Sequence, residues 1–313
     1  MLAFIARRLL ATIPVLAMVA VFVFLMLRLT PGDPAAIIAG DNANAQQVAA
    51  IRIGLGLDRP LAEQFVIWVG RMLQGDFGES YFFKRTVASL IVQRIEPTVA
   101  LATVTIILSV LIAVPLGVIA AYRHDSWIDR FVMALSVAGF SIPVFVIGYI
   151  LIYVFAIQLG WLPVQGYRSI TSGFGGFFER LILPACTLSV IYVALIARIT
   201  RASMLEVMNE DYIRTARAKG LTEGRILVRH ALRTAAVPIV TVIGIGIALL
   251  IGGVVVTESV YGIPGLGRLT VDAVLARDYP TIQAVILLFS FVYVLINLAI
   301  DLIYVFLDPR IRY

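Results

Sequence analysis

Long uncharged apolar runs alternate along the chain with short charged clusters, and this pattern predicts helices that cross a membrane. Leu9 to Leu27 follows Arg7-Arg8 and stops at Arg28, ahead of Pro31-Gly32-Asp33-Pro34. The further runs are Pro97 to Tyr122, Phe131 to Tyr167, Leu181 to Ala197, Ala235 to Thr257 and Pro280 to Ile300. Their apolar residues are continuous rather than striped along one face, as helices in lipid require. The first run exceeds the roughly 7–15 residues of a signal-peptide core, so it is expected to stay as a first helix. Phe131 to Tyr167 is too long for one crossing of roughly 30 Å at about 1.5 Å per residue. Gly160-Trp161-Leu162-Pro163 is expected to mark its exit, and Pro143 to kink it midway. Pro143 and Ser141 are candidates for lining a pathway, with a plain kink as the alternative reading.

Between the first two runs lies a polar stretch, 30–96, with interspersed charges and turn signals at Asp33-Pro34, Asp58-Arg59-Pro60 and Gly75-Asp76. Its aromatic residues Phe65, Trp68, Phe77, Tyr81, Phe82 and Phe83 give it material to pack. It reads as a small extracytoplasmic helical insertion. The expected organisation is therefore 1–29 as N-terminus and first span, 30–96 as insertion, and 97–313 as an all-α core of five spans. That core includes a loop at 204–234.

Composition supports this reading. Of the 313 residues 14% are charged, where a soluble domain carries about 25%. The net charge of +6 needs no nucleic acid, because basic residues collect on the cytoplasmic side of membrane proteins. Arg7, Arg8, Arg123, Arg130, Arg198, Arg201, Lys219, Arg310 and Arg312 fall on the side of the termini, as do the arginines of 214–233. Both termini are expected to be cytoplasmic. Cys186 is the only cysteine, and His124 and His230 are the only histidines, so no metal site is expected.

The loop before the fifth span, Asn209 to Arg233, predicts two short helices. Asn209 or Asp211 is expected to cap the first, Lys219 to lie in its last turn, and Gly220 to take the left-handed position after it. Thr222 is expected to start the second, with Arg225, Arg229 and Arg233 on one face. Arginines on lipid phosphates explain the basic stripe. A docking surface better explains the small residues Thr215, Ala216 and Ala218. Residue types alone leave both open.

The segment Tyr212-Ile213-Arg214-Thr215-Ala216-Arg217-Ala218-Lys219-Gly220-Leu221 resembles the coupling loop of binding-protein-dependent ABC permeases, in its dipeptide, oligopeptide and nickel branch. The general Glu-Ala-Ala-x-x-x-Gly signature is altered, with Arg214 in place of Glu and Arg233 where a later proline is usual. Further blocks resemble the same branch in order: Leu29 to Pro34, Leu55 to Leu61, Gly75 to Gly78, Pro264 to Leu269, Arg277 to Pro280, Asn297 to Asp301, and Asp308 to Arg312. The early blocks resemble the "B" type of permease.

The resemblance implies a type I ABC importer permease of six transmembrane helices in a bacterial inner membrane. It implies pairing with a homologous second permease, two ATPases that use ATP and Mg, and a periplasmic binding protein. It also implies that Tyr212 and Arg214 to Leu221 dock on an ATPase. The expected cargo is di- or oligopeptides, with nickel chelates or glutathione as alternatives. The chain lacks the phosphate loop Gly-x-x-x-x-Gly-Lys-Ser/Thr, so no catalytic residue or bound cofactor is expected in it. A stand-alone channel or carrier is the rival class, but such carriers use ionisable groups deep in the membrane. Here the candidates are Arg198 and Asp301, near span ends, read either as an interhelical pair or as independent snorkelling residues.

Overall fold

A computed structural model describes residues 2–29, 34–39, 44–54 and 56–307. Thr30 to Asp33, Leu55 and the Asp308 to Arg312 block lie outside the described residues. The chain is almost entirely helical, and its first helix, α1 (Leu2–Leu29), carries an apolar stretch at Leu10–Met26. Among the described residues four helices are long and apolar enough to cross a membrane: α5 (Val87–Tyr122), α8 (Phe174–Met208), α12 (Ala236–Val260) and α14 (Tyr279–Leu307).

A bent pair passes the same test. It joins α6 (Trp127–Ser141) to α7 (Val144–Leu151), which runs on as a π-helix over Ile152–Gln158. The two halves bend by 104°, a break rather than the predicted kink. Proline drives the residue before it out of the helical region, and Ile142 is accordingly extended at φ −92°, ψ 125°. Several spans are longer than their uncharged runs. Helix α5 starts at Val87 rather than Pro97 and holds Pro97 and Pro115 inside it, which helices in a bilayer tolerate. Helix α8 runs on to Met208, past the charged residues at which hydropathy stops.

The chain divides into two compact units, Met1–Arg94 with Leu269–Val294, and Ile95–Arg268 with Leu295–Tyr313.

In that first unit the insertion comprises α2 (Pro34–Ala39), α3 (Ala45–Gly54), α4 (Leu61–Leu73) and a hairpin of β1 (Glu79–Ser80) and β2 (Arg85–Thr86). Phe65 and Trp68 of α4 meet Phe24 of α1 at centroid distances of 5.2 and 5.6 Å. Buried Asp278 accepts hydrogen bonds from the Ser80 hydroxyl, from Thr281 at 2.7 Å and from the Tyr81 N–H at 3.3 Å.

The second unit is organised on α8, which packs against α6, α7 and α12. Leu188, Tyr192 and Ile196 of α8 share a core with Leu101, Leu250 and Val254. A short helix, α13 (Leu266–Leu275), follows α12.

Candidate functional site

The segment between α8 and α12 is built outward from a buried seam. Helix α9 (Asp211–Ala218) has eight residues, too few to be stable alone. Ile213 and Ala216 anchor it, 0% and 8% exposed. They pack with Met204, Val207, Ile226, Ala231 and Ala235. The return strand of the loop is α10 (Glu223–Arg225), a π-helix over Ile226–Ala231 and α11 (Leu232–Thr234). The wider π turn accounts for buried positions at Ile226, Ala231 and Ala235, where α-helical spacing would be tighter. Arg225, Arg229 and Arg233 are all exposed.

The chain leaves α9 by a Schellman turn. The Gly220 N–H donates to the Arg217 carbonyl at 2.9 Å, and the Leu221 N–H to the Ala216 carbonyl at 3.3 Å. Gly220 has φ +78°, the predicted left-handed value, and Leu221 folds back onto the seam. The predicted N-cap differs: Glu210 holds that position without a side-chain bond, while the Asn209 amide donates to the Leu205 carbonyl at 3.0 Å. Lys219 is the C-cap rather than part of the last turn. Thr222 starts the return segment as predicted, also without a side-chain bond. Two contacts hold the loop together: the Tyr212 hydroxyl donates to Thr234 Oγ1 at 3.0 Å, and Arg217 Nε to Glu223 Oε1 at 2.8 Å.

The outward face therefore consists of Tyr212, Arg214, Thr215, Arg217, Ala218, Lys219 and Gly220. Ala216 is not on it. The sequence reading grouped Ala216 with Thr215 and Ala218, but Ala216 sits three residues from Ile213 and shares its inward face. Arg214 reaches only its neighbour Asp211, at 3.2 Å, and both side chains are largely exposed. A short basic helix, anchored along one side and exposed along the other among the described residues, is the arrangement to be explained.

Two family models match the chain. The description "Binding-protein-dependent transport system inner membrane component" covers residues 113–313, and its N-terminal counterpart covers residues 1–102. The chain belongs to this family of inner-membrane transport components. A probable peptide ABC transporter permease protein of Sinorhizobium fredii is 58% identical over 310 residues, 99% of each chain. A glutathione transport system permease protein of Escherichia coli is 45% identical over 313 residues, 100% of each chain. An inward-facing MetNI methionine ABC transporter structure matches with TM-score 0.59 and 21% identity, over 70% of this chain and 96% of that one. At that identity the likeness shows the fold. The chain is thus a multi-pass inner-membrane permease of the ABC type, similar over its whole length to "B"-type relatives.

Away from the loop, the structure assigns partners in this permease that the sequence does not disclose. Asp129, 2% exposed, takes a bidentate ion pair from Arg201, with Nη2 to Oδ2 at 2.6 Å. Arg198, one turn earlier, lies over the Phe140 ring at 5.6 Å. Arg198 with Asp301 is not among the ion pairs of the described residues. One carboxylate on α6, beside the Ser126 cap, has taken the neighbouring arginine. His124, Asp125 and Asp129 bring ligand atoms within 4.8 Å of one another, but both Asp129 oxygens are committed to Arg201 and the Asp125 N–H. Ser141 is exposed and donates to the Val137 carbonyl at 2.9 Å, one turn before the break at Pro143.

Glu258 forms a second such knot. It is 0% exposed, accepts from Thr98 Oγ1 at 2.6 Å, and accepts from the Arg268 N–H at 3.0 Å. Thr98 in turn accepts from the Leu266 N–H at 2.8 Å. The pair satisfies donors at the start of α13, where a negative charge is favoured. Glycines at 265 and 267 let the loop close over the carboxylate. A Cβ on Gly267 would lie 2.6 Å from Val255 Cα. The only sequence signal was an acid standing immediately after an uncharged run. Two glycines of α12 meet different surroundings: Gly244 is pressed against Ile300, while Gly252 faces open space.

Proposed function

We propose that this chain is one of two homologous permeases in an importer of short peptides, driven by two separate ATPases and fed by a periplasmic binding protein. Membership of a binding-protein-dependent transport family supports the general arrangement. The heterodimer, the six-span count, cytoplasmic termini and the assignment of hydrolysis to other chains are part of this reading. ATP and Mg belong to the partner ATPases. Cargo is read as short peptides because one relative is named for peptides and another for glutathione, itself a tripeptide.

The observation that carries the coupling role is the two-sided construction of α9. Ile213, Ala216 and Leu221 tie it to α8 and the return segment, so a push on its outer face is delivered to membrane helices rather than absorbed locally. Its outer face offers Arg214, Thr215, Ala218, Lys219 and Gly220 to an ATPase cleft. The exposed arginines 225, 229 and 233 serve either lipid phosphate or the same partner.

Purifying the tagged chain from its native operon tests the assembly: a second permease and an ATPase should accompany it, with hydrolysis stimulated by the binding protein. Recovery of the chain alone under several mild detergents would count against the importer. The docking face is tested separately with Thr215→Trp and Ala218→Trp, which leave the seam intact. Uptake and stimulated hydrolysis that both persist in these variants would remove α9 from the coupling path. Uptake of labelled dipeptide and labelled glutathione into cells lacking the chromosomal operon then separates the cargo readings.

A further inference from the structure

The first unit contains a cavity of about 160 Å³ at the end of α1. Its lining brings two cations, Arg28 and Arg71, together with two acids, Asp76 and Glu79, and the aromatic side chains of Trp68 and Tyr81. Arg28 is half-buried, yet its partners are all neutral. Its Nε and Nη2 donate to Gln64 Oε1 at 3.0 and 2.9 Å, and Nη1 donates to the Phe24 carbonyl at 3.3 Å. A guanidinium has five N–H groups, so some remain unpaired among the described residues. Arg71 is exposed, and among the described residues its guanidinium has no anionic partner. A half-buried cation without a counter-charge is costly unless an anion visits it.

The depth of the cavity narrows the choice of anion. Arg28 lies just beyond the apolar stretch Leu10–Met26, and the spanning helix α14 begins at Tyr279, which also lines the cavity. Gln283 ties the two ends together by donating to the Val23 carbonyl at 3.1 Å. The cavity therefore opens where two apolar helices meet the membrane–water interface, the level of lipid headgroups and of tryptophan and tyrosine belts. Below it, Met18 and Phe22 of α1 are 74% and 69% exposed, a surface for acyl chains. Burial first, then the charges of Asp278 and Glu79, push the Tyr81 phenol above its usual range, so it stays a donor.

We propose that this cavity binds the zwitterionic headgroup of a membrane phospholipid, its phosphate on Arg28 and Arg71 and its ammonium towards Asp76 and Glu79. The paired signs select ethanolamine over an anionic headgroup without an ammonium. Arginine forks suit phosphate oxygens, and the primary ammonium supplies three donors to two carboxylates.

The test is native mass spectrometry of the intact transporter complex, reconstituted in nanodiscs of equal phosphatidylethanolamine and phosphatidylglycerol and then released into detergent. The wild-type complex is expected to retain phosphatidylethanolamine in excess. Arg28→Gln and Arg71→Gln should each reduce that retention about tenfold, the loss of a charge-assisted contact. Asp76→Asn with Glu79→Gln should reverse the preference towards phosphatidylglycerol. Arg71 makes no described side-chain contact, so its variant tests the site even if Arg28→Gln unfolds. Retention that ignores headgroup, or that survives Arg71→Gln and the double variant, would overturn the proposal. So would displacement of the lipid by millimolar glycylglycine that depends on Arg28, since the zwitterion would then be free peptide.

Discussion

Two helices of this permease end in the same backbone device and use it for opposite purposes. Helix α9 closes with Gly220 at φ +78° and a bond from Leu221 to Ala216; α12 closes with Gly262 at φ +60° and a bond from Ile263 to Glu258 at 2.9 Å. Both are Schellman turns with a hydrophobic residue folded back. After α12 the charge turns inward, and Glu258 is enclosed with its donors satisfied. At α9 the charges turn outward: Arg214, Arg217 and Lys219 are exposed, the first two paired only with acids of the same loop. A buried, satisfied carboxylate fixes local structure, because disturbing it strands polar groups away from water. Exposed charges on a well-anchored helix, held only by surface pairs worth little in water, are available to another molecule.

The contrast can be broken most forcefully at Glu258. Replacing it with alanine strands the Thr98 hydroxyl and the Arg268 N–H, at about 1–3 kcal/mol each. A fall in the thermal midpoint of the purified chain is expected, large enough to cut the yield of folded protein. Next comes Gly267→Ala, whose Cβ meets backbone at Val255. Overpacking of that kind costs about 1–3 kcal/mol, and a midpoint equal to wild type would show the loop to be looser than its packing implies. Gly220→Ala and Gly262→Ala sharpen the comparison, since each forces a side chain into the left-handed region for about 1–2 kcal/mol. The Gly262 change should be the worse, because its Cβ would also crowd Gln165 at 3.3 Å. The smallest stability effect is expected for Arg214→Ala, within about 0.5 kcal/mol as for other exposed sites. There the signal should appear in binding-protein-stimulated hydrolysis instead. A variant that lowers stability but spares hydrolysis would reverse the roles assigned to the two turns.

Much of the segment between α8 and α12 was legible in advance. The left-handed glycine, the two short helices and the exposed basic stripe follow from local rules of capping and spacing. The burial of Ala216 did not, since its small side chain also suits a docking surface, and only the seam on which Ile213 packs shows that it turns inward. The π turn at Ile226–Ala231 was hidden for a related reason. Its extra residue shifts the buried register, and only the surface it packs on calls for that shift.

The apolar runs by themselves determined that this chain lives in a membrane, because hydropathy is a sum over neighbouring residues. Pro143 likewise determined where the third run breaks, because the restriction it imposes falls on the adjacent residue. Tertiary structure alone decided which charges meet. Asp129 found Arg201 across 72 positions, and Glu258 found Thr98 across 160. An ion pair or a buried hydrogen bond depends on distances of a few ångströms between residues far apart in the chain, and such distances do not exist until the helices have packed.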